Sequence, residues 1–385
     1  MSILKSAPLK TFLASARRVL VGPARPLTLV VGNESADLDS LCSAVLYAYF
    51  RTNAIPNTIH IPLSNLPRAD LALRPEIAAV LRYADLTPAD LITLDDLPAD
   101  LELSETSWVL VDHNQLTGPL AKFQSQVTGC IDHHVDEGKL PSGISPRFID
   151  TCGSCCSMIV EECKKLWTEE MGVDPTRDTA IARLALAPVL IDTGNLLVAD
   201  KTTPRDVLAA KFLSGKLGPG FVQTDYYNEI DGFKSDLSQM SLRDVLRKDY
   251  KEWMDGGIVL GTASSARGFD YLLVKAENKP DVLVEAVKDW SAEKKLDVVA
   301  VLTIISGEPF RRELMLWGIS EKGVLVVKNF EAICGEKIGL QQWKEGVLDG
   351  DEAGYRRTWA QQNTTQSRKQ IAPMLREIMQ AMTDE

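Results

Sequence analysis

The sequence has no apolar run long enough to cross a membrane, no secretory signal and no internal repeat or low-complexity segment. A membrane-spanning helix needs about 20 apolar residues in a row, so we expect neither a membrane protein nor a membrane partner. Basic residues are also in deficit, with 42 Lys and Arg against 53 Asp and Glu and a formal net charge of -11. This balance argues against nucleic acid as a partner. An anionic substrate stays compatible with it, provided that metal ions and a local basic cluster supply positive charge.

The cysteine content indicates a reducing compartment. There are seven Cys, an odd number, and no secretory signal, so we expect free thiols and a cytoplasmic protein. Cys152 and Cys155 have the spacing of a zinc knuckle, but no second Cys or His pair follows at knuckle distance. Packing of small side chains at a helix start is therefore the favoured interpretation of this cluster.

The first 26 residues contain Lys and Arg but no acidic residue. That composition is typical of a mitochondrial transit peptide, which would place the protein in the mitochondrial matrix. The alternative is an ordinary amphipathic helix from Leu9 to Leu20 with its apolar side chains on one face. The structural helix is favoured, because a core strand begins almost directly after it, at Leu27.

The length of 385 residues is long for a single core and comfortable for two domains. The Gly-rich segment from Leu213 to Thr224 is the predicted boundary, which gives domains over residues 1–218 and 225–385. In the first, short apolar strands alternate with helices and predict an α/β sheet. The second is predicted as mixed α/β, with strands that include Asp270 to Val274 and Gly323 to Val327.

The stretch from Thr28 to Phe50 is a strand, a polar loop and a helix. Such sheets bind ligands at the carboxyl ends of their strands. The loop contains Asp37 and Asp39, and two carboxylates on one tight turn are costly without a cation between them. The alternative is that Asp39 or Ser40 caps the helix.

Two later strands also end in acidic and imidazole side chains. Ser107 to Val111 leads into Asp112-His113, and Val127 to Ile131 leads into Asp132-His133-His134. These motifs contain three of the four His in the chain. Carboxylate and imidazole together are the ligands of Mn, Co, Zn or Mg hydrolytic centres.

Two more segments add candidates for the same site. Asp192 follows the apolar end of a helix, where an unpaired carboxylate would be costly and a metal ion would be a natural partner. The turn at Gly153-Ser154 opens a helix, and its free N–H groups suit a phosphate. Simple capping of that helix by Ser154 is the equally weighted alternative.

Taken together, these four acidic motifs resemble those of the DHH phosphoesterase superfamily. The run from Arg247 to Lys251 and the pair Arg368-Lys369 resemble its associated C-terminal domain of the second type. That domain is shared by family II inorganic pyrophosphatases, fungal exopolyphosphatases and prune proteins. The resemblance implies a mostly parallel N-terminal sheet flanked by helices, and a smaller mixed α/β C-terminal domain. It also implies an active site in the cleft between them.

The resemblance implies two metal ions that share one carboxylate. One ion would be held by Asn33, Asp37 and Asp112, and the other by Asp39, Asp112, His133 and Asp192. Asp132 would orient a neighbouring histidine, and His134 would face the substrate as a hydrogen-bond donor or acid. The phosphate-binding residues of the second domain would be Lys251, Arg368 and Lys369. The catalytic set is thus Asp112, Asp132 and His134.

The loop after the first strand most closely resembles the fungal exopolyphosphatase pattern, because pyrophosphatases have His where this chain has Asn33. A neutral amide oxygen favours Mg²⁺ as the cofactor, with Mn²⁺ or Co²⁺ as alternatives. The expected function is removal of the terminal phosphate from inorganic polyphosphate by a monomer, through a water activated by two metal ions. The alternatives are a pyrophosphatase, a prune-like cyclic-nucleotide phosphodiesterase and a non-catalytic interaction protein.

Overall fold

A computed structural model describes residues 7–54, 58–305, 307 and 309–382. The chain divides into two compact units, Met1–Lys234 and Ser235–Glu385. Both units are α/β, as the sequence predicts. Within the described ranges, no helix combines the length and the apolar character that crossing a bilayer requires.

The first unit contains a five-stranded sheet in the order β2-β1-β3-β4-β5. Every neighbouring pair is parallel, with Leu29 of β1 opposite Ile61 of β2 and Trp108 of β3. Both faces of such a sheet are covered, which explains why its strands are almost continuously apolar. The strands are β1 (Leu27–Val31), β2 (His60–Leu63), β3 (Thr106–Val111), β4 (Val127–Asp132) and β5 (Arg147–Ile149). The helices are α1 (Leu9–Leu20), α2 (Leu38–Ala54), α3 (Pro75–Leu81), α4 (Cys155–Lys165), α5 (Pro175–Asp192), α6 (Pro204–Leu217) and α7 (Gln223–Ser235).

The helices of this unit pack on both faces of the sheet. Every residue of α2 from Leu38 to Phe50 is buried, because α2 lies between the sheet and helices α4 and α5. The helix predicted over Leu9 to Leu20 is confirmed, and Ala16 and Leu20 pack against Leu29 on the opposite face. The strand order places a switch point between β1 and β3, which is where α/β sheets bind their ligands.

The second unit contains a six-stranded mixed sheet in the order β10-β11-β9-β8-β7-β6. Only β7 and β8 pair in parallel, and the other neighbours are antiparallel. Its strands are β6 (Tyr250–Asp255), β7 (Ile258–Ser265), β8 (Val298–Ile305), β9 (Arg311–Gly318), β10 (Leu340–Gln342) and β11 (Tyr355–Gln361). Its helices are α8 (Leu242–Lys248), α9 (Phe269–Lys275), α10 (Pro280–Lys294), α11 (Glu321–Ile338) and α12 (Arg368–Ala381).

Two strand predictions in this unit are wrong. Asp270 to Val274 lies in helix α9, and Gly323 to Val327 lies in helix α11, which Ser320 caps through the N–H of Gly323. The β-branched residues at the start of α11 favour a strand locally. Its buried side chains recur at helical spacing along its length, so packing overrides the local propensity. They are Val326, Val327, Phe330, Cys334 and Ile338.

Candidate metal centre

The loop after β1 is shaped by a close approach of Gly32 to the start of α2. A Cβ atom on Gly32 would lie 2.6 Å from the Cβ atom of Ser40, so only glycine fits. The hydroxyl of Ser40 accepts a hydrogen bond from the Asn33 backbone N–H (3.1 Å) and donates one to Asp112 Oδ2 (2.6 Å). The loops after β1 and β3 are therefore joined at the switch point of the sheet.

Asp112 lies at the centre of this cluster and is almost completely buried. Its backbone adopts a φ of +63°, a left-handed conformation that is uncommon for a residue other than glycine. Its carboxylate is contacted by Ser40, by Asn33 Nδ2 (2.9 Å) and by His133 Nε2 (3.0 Å). Burial opposes its negative charge, but the hydrogen bonds and charge of His133 hold the pKa of Asp112 below its usual range. Such strained, buried acidic residues are typical of functional sites.

The ring orientation of His133 is set by a backbone carbonyl. Its Nδ1 donates to the Cys152 carbonyl oxygen (2.8 Å), so Nε2 is the atom that faces Asp112 and lies 4.0 Å from Asp39 Oδ2. Imidazole ligands of metals are usually oriented by such a contact at the other ring nitrogen. Asp112, His133 and His134 offer potential ligand atoms within 4.8 Å of one another.

Asp132 orients His134 rather than His133. Its Oδ1 accepts hydrogen bonds from the backbone N–H (3.2 Å) and from Nδ1 (2.9 Å) of His134. Its Oδ2 accepts a hydrogen bond (2.6 Å) from Nδ2 of Asn114, a buried residue outside the predicted site. This network leaves Nε2 as the ring atom of His134 that can contact a substrate.

Asp39 lies at the N-terminus of helix α4. Its two carboxylate oxygens accept hydrogen bonds from the Ser154 hydroxyl (2.8 Å), the Cys155 N–H (2.6 Å) and the Cys156 N–H (2.9 Å). The N–H groups at this helix start are thus bound to carboxylates, those of Gly153 and Ser154 to Asp206, and are not free for a phosphate. The positive end of the helix dipole stabilises a carboxylate at this position.

Asp37 and Asp192 add further negative charge to the cluster. Asp37 Oδ1 accepts a hydrogen bond from the Ser40 N–H (3.0 Å). Asp192 is the last residue of α5, and its carboxylate has no hydrogen-bond partner within the part of the chain that the structure describes. Burial and the charge of Asp39 raise the pKa of Asp192 well above its usual range.

Burial and a neighbouring negative charge also raise the pKa of two other carboxylates in the cluster. Burial and then the charge of Asp112 raise the pKa of Asp39 to about 6 and also raise the pKa of Asp37. Repulsion of this kind is relieved when a cation enters. The donors are carboxylate oxygens and an imidazole, which fit divalent metal ions.

The amide of Asn33 has a different orientation from that of a metal ligand. Its Oδ1 accepts a hydrogen bond from the Ser35 N–H (2.9 Å), while its Nδ2 donates to the Asp112 carboxylate and carbonyl. Ligation would require its oxygen to face Asp112 instead. The assignment of Asn33 as a ligand thus stays a prediction.

Lys234 is a functional candidate that the sequence did not reveal. This half-buried residue lies near the end of α7. Burial opposes its charge, but the carboxylates of Asp192 and Asp37 outweigh burial and raise the pKa of Lys234. No motif marks it, because it lies in a polar helix that is distant in sequence from the acidic loops.

The variant Asp192→Asn separates metal binding from stability. A carboxylate with a raised pKa in the folded state lowers stability as the pH rises above its unfolded pKa, so its removal should stabilise the metal-free protein at neutral pH. We expect a higher melting temperature, by about 2 °C for each kcal/mol of relieved repulsion. The gain should disappear below about pH 3, where Asp192 is protonated in both the folded and the unfolded state. Metal affinity should fall at least about tenfold. A lower melting temperature at neutral pH would contradict this placement of Asp192.

Metal binding should release protons. Burial opposes a charged His133, but the hydrogen bond and charge of Asp112 raise the pKa of His133 to about 10, so this imidazole is protonated near neutral pH. A metal ligand must be deprotonated, so the affinity should rise by about tenfold per pH unit for each proton released. Calorimetry with Mn²⁺ in two buffers of different ionisation enthalpy measures that release. An affinity that does not change between pH 6 and 8 would remove His133 from the ligand set.

The second unit brings the two predicted phosphate-binding segments together. Arg368, the first residue of α12, donates to the Asp249 carbonyl (3.0 Å) and pairs with its carboxylate (2.9 Å). Lys251 follows two residues later on β6 and is half-buried. Lys369 is exposed beside Arg368. Their contact with a substrate stays a prediction.

Comparison with known proteins identifies the family. Residues 28–188 match the model of the DHH family N-terminal domain, and residues 228–378 match that of the DHHA2 domain. A Schizosaccharomyces pombe protein, provisionally assigned as an exopolyphosphatase, is 32% identical over 92% of this chain and 91% of its own length. The chain belongs to the DHH phosphoesterase family. It is thus a hydrolase of the exopolyphosphatase and pyrophosphatase type.

Two further relatives extend the comparison of this DHH phosphoesterase. A Brevibacillus brevis protein, provisionally assigned as a manganese-dependent inorganic pyrophosphatase, is 30% identical over 72% of this chain and 82% of its own length. The crystal structure of a Methanococcus jannaschii protein, provisionally assigned to the family II inorganic pyrophosphatases, aligns with a TM-score of 0.61. That alignment covers 92% of this chain and 99% of the other at 18% identity, so it shows a shared fold.

Proposed function

We propose that this chain is an exopolyphosphatase that removes the terminal phosphate of inorganic polyphosphate and releases orthophosphate. The observation that supports it most is the amide of Asn33 beside Asp112, at the position where the pyrophosphatase pattern has a histidine. The match to the fission-yeast relative over nearly the whole chain points the same way.

The acidic cluster is the proposed site of two divalent metal ions. Asn33, Asp37 and Asp112 would hold one, and Asp39, Asp112, His133 and Asp192 the other. When bound, such ions activate the attacking water and neutralise charge on the attacked phosphate. Mg²⁺ is the proposed cofactor, and Mn²⁺ is the alternative that the Brevibacillus relative's name supports.

The remaining residues bind and orient the substrate. Asp132 fixes the ring of His134. The Nε2 of His134 would then contact a phosphate oxygen near the bond that breaks. In the second unit, the guanidinium of Arg368 and the ammonium groups of Lys251 and Lys369 would bind phosphate oxygens. Arginine suits this role because its planar group binds two oxygens at once.

A substrate comparison tests this proposal. Orthophosphate release is measured with Mg²⁺ on long-chain polyphosphate and pyrophosphate, together with a gel of the remaining chain lengths, and AMP formation is measured on cyclic AMP. We expect orthophosphate from polyphosphate, little from pyrophosphate and no AMP from cyclic AMP. Faster turnover of pyrophosphate would make the protein a pyrophosphatase despite Asn33. Activity on cyclic AMP alone would favour a nucleotide phosphodiesterase, and no activity would favour an interaction protein.

A further inference from the structure

The loop that precedes helix α4 is held by a buried carboxylate that lies on another helix. Asp206, in the first turn of α6, is completely buried and accepts hydrogen bonds from six donors. Two of them belong to Thr203 and cap α6 itself. The other four come from the loop and the start of α4: the Gly153 N–H (2.9 Å), the Ser154 N–H (3.2 Å), the Cys152 Sγ (3.2 Å) and the Ser157 hydroxyl (2.7 Å).

The fit between Asp206 and this loop is close. A Cβ atom on Gly153 would lie 2.8 Å from Asp206 Oδ2 and 2.5 Å from the Lys201 carbonyl oxygen. Burial opposes the charge of Asp206, but the hydrogen bonds from Ser157 and Thr203 hold its pKa below its usual range. The carboxylate of Asp206 is therefore charged, and its hydrogen bonds hold the loop in place.

The same loop contacts two of the proposed ligands directly. Its Cys152 carbonyl accepts the Nδ1–H of His133, and its Ser154 hydroxyl donates to Asp39. The first turn of α4 adds two N–H groups to the Asp39 carboxylate. A movement of the loop would thus shift both side chains together.

We infer that Asp206 is a positioning residue for the metal ion that Asp39 and His133 hold, although it touches neither. This inference rests on the proposed function. Asp37 and Asn33 are oriented instead by Ser40 and Ser35 of the loop after β1 and the start of α2, so the other ion has separate support. Loss of the Asp206 carboxylate should therefore lower the affinity for the ion that Asp39 and His133 hold and leave the affinity for the other ion unchanged.

The test uses the variant Asp206→Asn, in which an amide N–H₂ replaces one accepting oxygen. Its control is Asp178→Asn, which alters a similarly buried carboxylate that Trp167 Nε1 (2.9 Å) and Arg177 contact. Asp178 and Asp192 lie fourteen positions apart on α5, about 21 Å along the helix. Mn²⁺ binding to the full chain is measured by calorimetry without substrate.

We expect Asp206→Asn to weaken one Mn²⁺ binding step by about 10–100-fold and to leave the other unchanged. In the metal-free variant, the NMR signal of the His133 Nδ1–H should shift or exchange faster, and with only four His in the chain it can be assigned. Asp178→Asn should change neither Mn²⁺ binding step nor the NMR signal of His133. Normal binding in Asp206→Asn, or equal weakening of both steps in both variants, would overturn the inference.

A milder variant keeps the test decisive if Asp206→Asn does not fold. Ser157→Ala removes one donor to Asp206 and should weaken the same binding step by several-fold with an unchanged fold. Unchanged binding would overturn the inference. Failure of the wild-type chain to bind two ions or to hydrolyse polyphosphate would instead overturn the proposed function, so the two failures are distinguishable.

Discussion

Asp112→Asn is expected to lower orthophosphate release from polyphosphate by about a thousand-fold or more. Removal of a single stabilising donor from an active site already costs about 10²–10³-fold. Asp112 is the carboxylate proposed to contact both metal ions, and it is also contacted by the side chains of Ser40, Asn33 and His133. The measurement is the turnover rate at saturating Mg²⁺ and polyphosphate.

The control for this variant is again Asp178→Asn, which should keep wild-type turnover because Asp178 lies at the far end of α5. A melting curve of Asp112→Asn shows whether the fold is retained. A folded Asp112→Asn protein with more than about a tenth of the wild-type turnover would show that catalysis occurs elsewhere.

The second large effect is expected from the double variant Arg368→Ala, Lys369→Ala. Hydrogen bonds to charged groups contribute about 1.5–3 kcal/mol each, so loss of two should raise KM for polyphosphate by about 100-fold or more. Bound metal should stay at the wild-type level, because both residues lie in the second unit. KM is measured by orthophosphate release, and metal content by elemental analysis of dialysed protein.

A matched control is available on the same helix. Arg376 of α12 pairs with Asp255 at 2.6 Å, and Arg376→Ala should leave KM unchanged. Loss of bound metal from the Arg368, Lys369 double variant, with an unchanged KM, would contradict the roles proposed for the two units.

The acidic motifs could be found from sequence because their signal is local. Three of the four lie after a short apolar strand, and parallel strands bring their carboxyl ends to one edge of a sheet. The fourth, Asp192, ends a helix instead. The structure places Asn33, Asp112 and His133 together there. The capping of helix α4 by Asp39 could not be found from local sequence, since it depends on an approach between segments more than a hundred residues apart.

The supporting residues could not be found in the same way. Asn114, Lys234 and Asp206 act through contacts with segments that are distant in sequence or bear no motif of their own. The Thr203 and Asp206 pattern predicts a capping box and nothing more, because the sequence does not show which loop packs against it. In α9 and α11, likewise, local strand propensity gave the wrong element because packing was decisive.

The most direct test of a two-metal phosphohydrolase centre is to count bound metal against activity. Metal-stripped protein is titrated with Mn²⁺, bound ions are counted by equilibrium dialysis, and orthophosphate release from polyphosphate is measured at each point. The account predicts two ions per chain, with activity appearing only as the second one binds. Full activity with one ion, or with none, would contradict it.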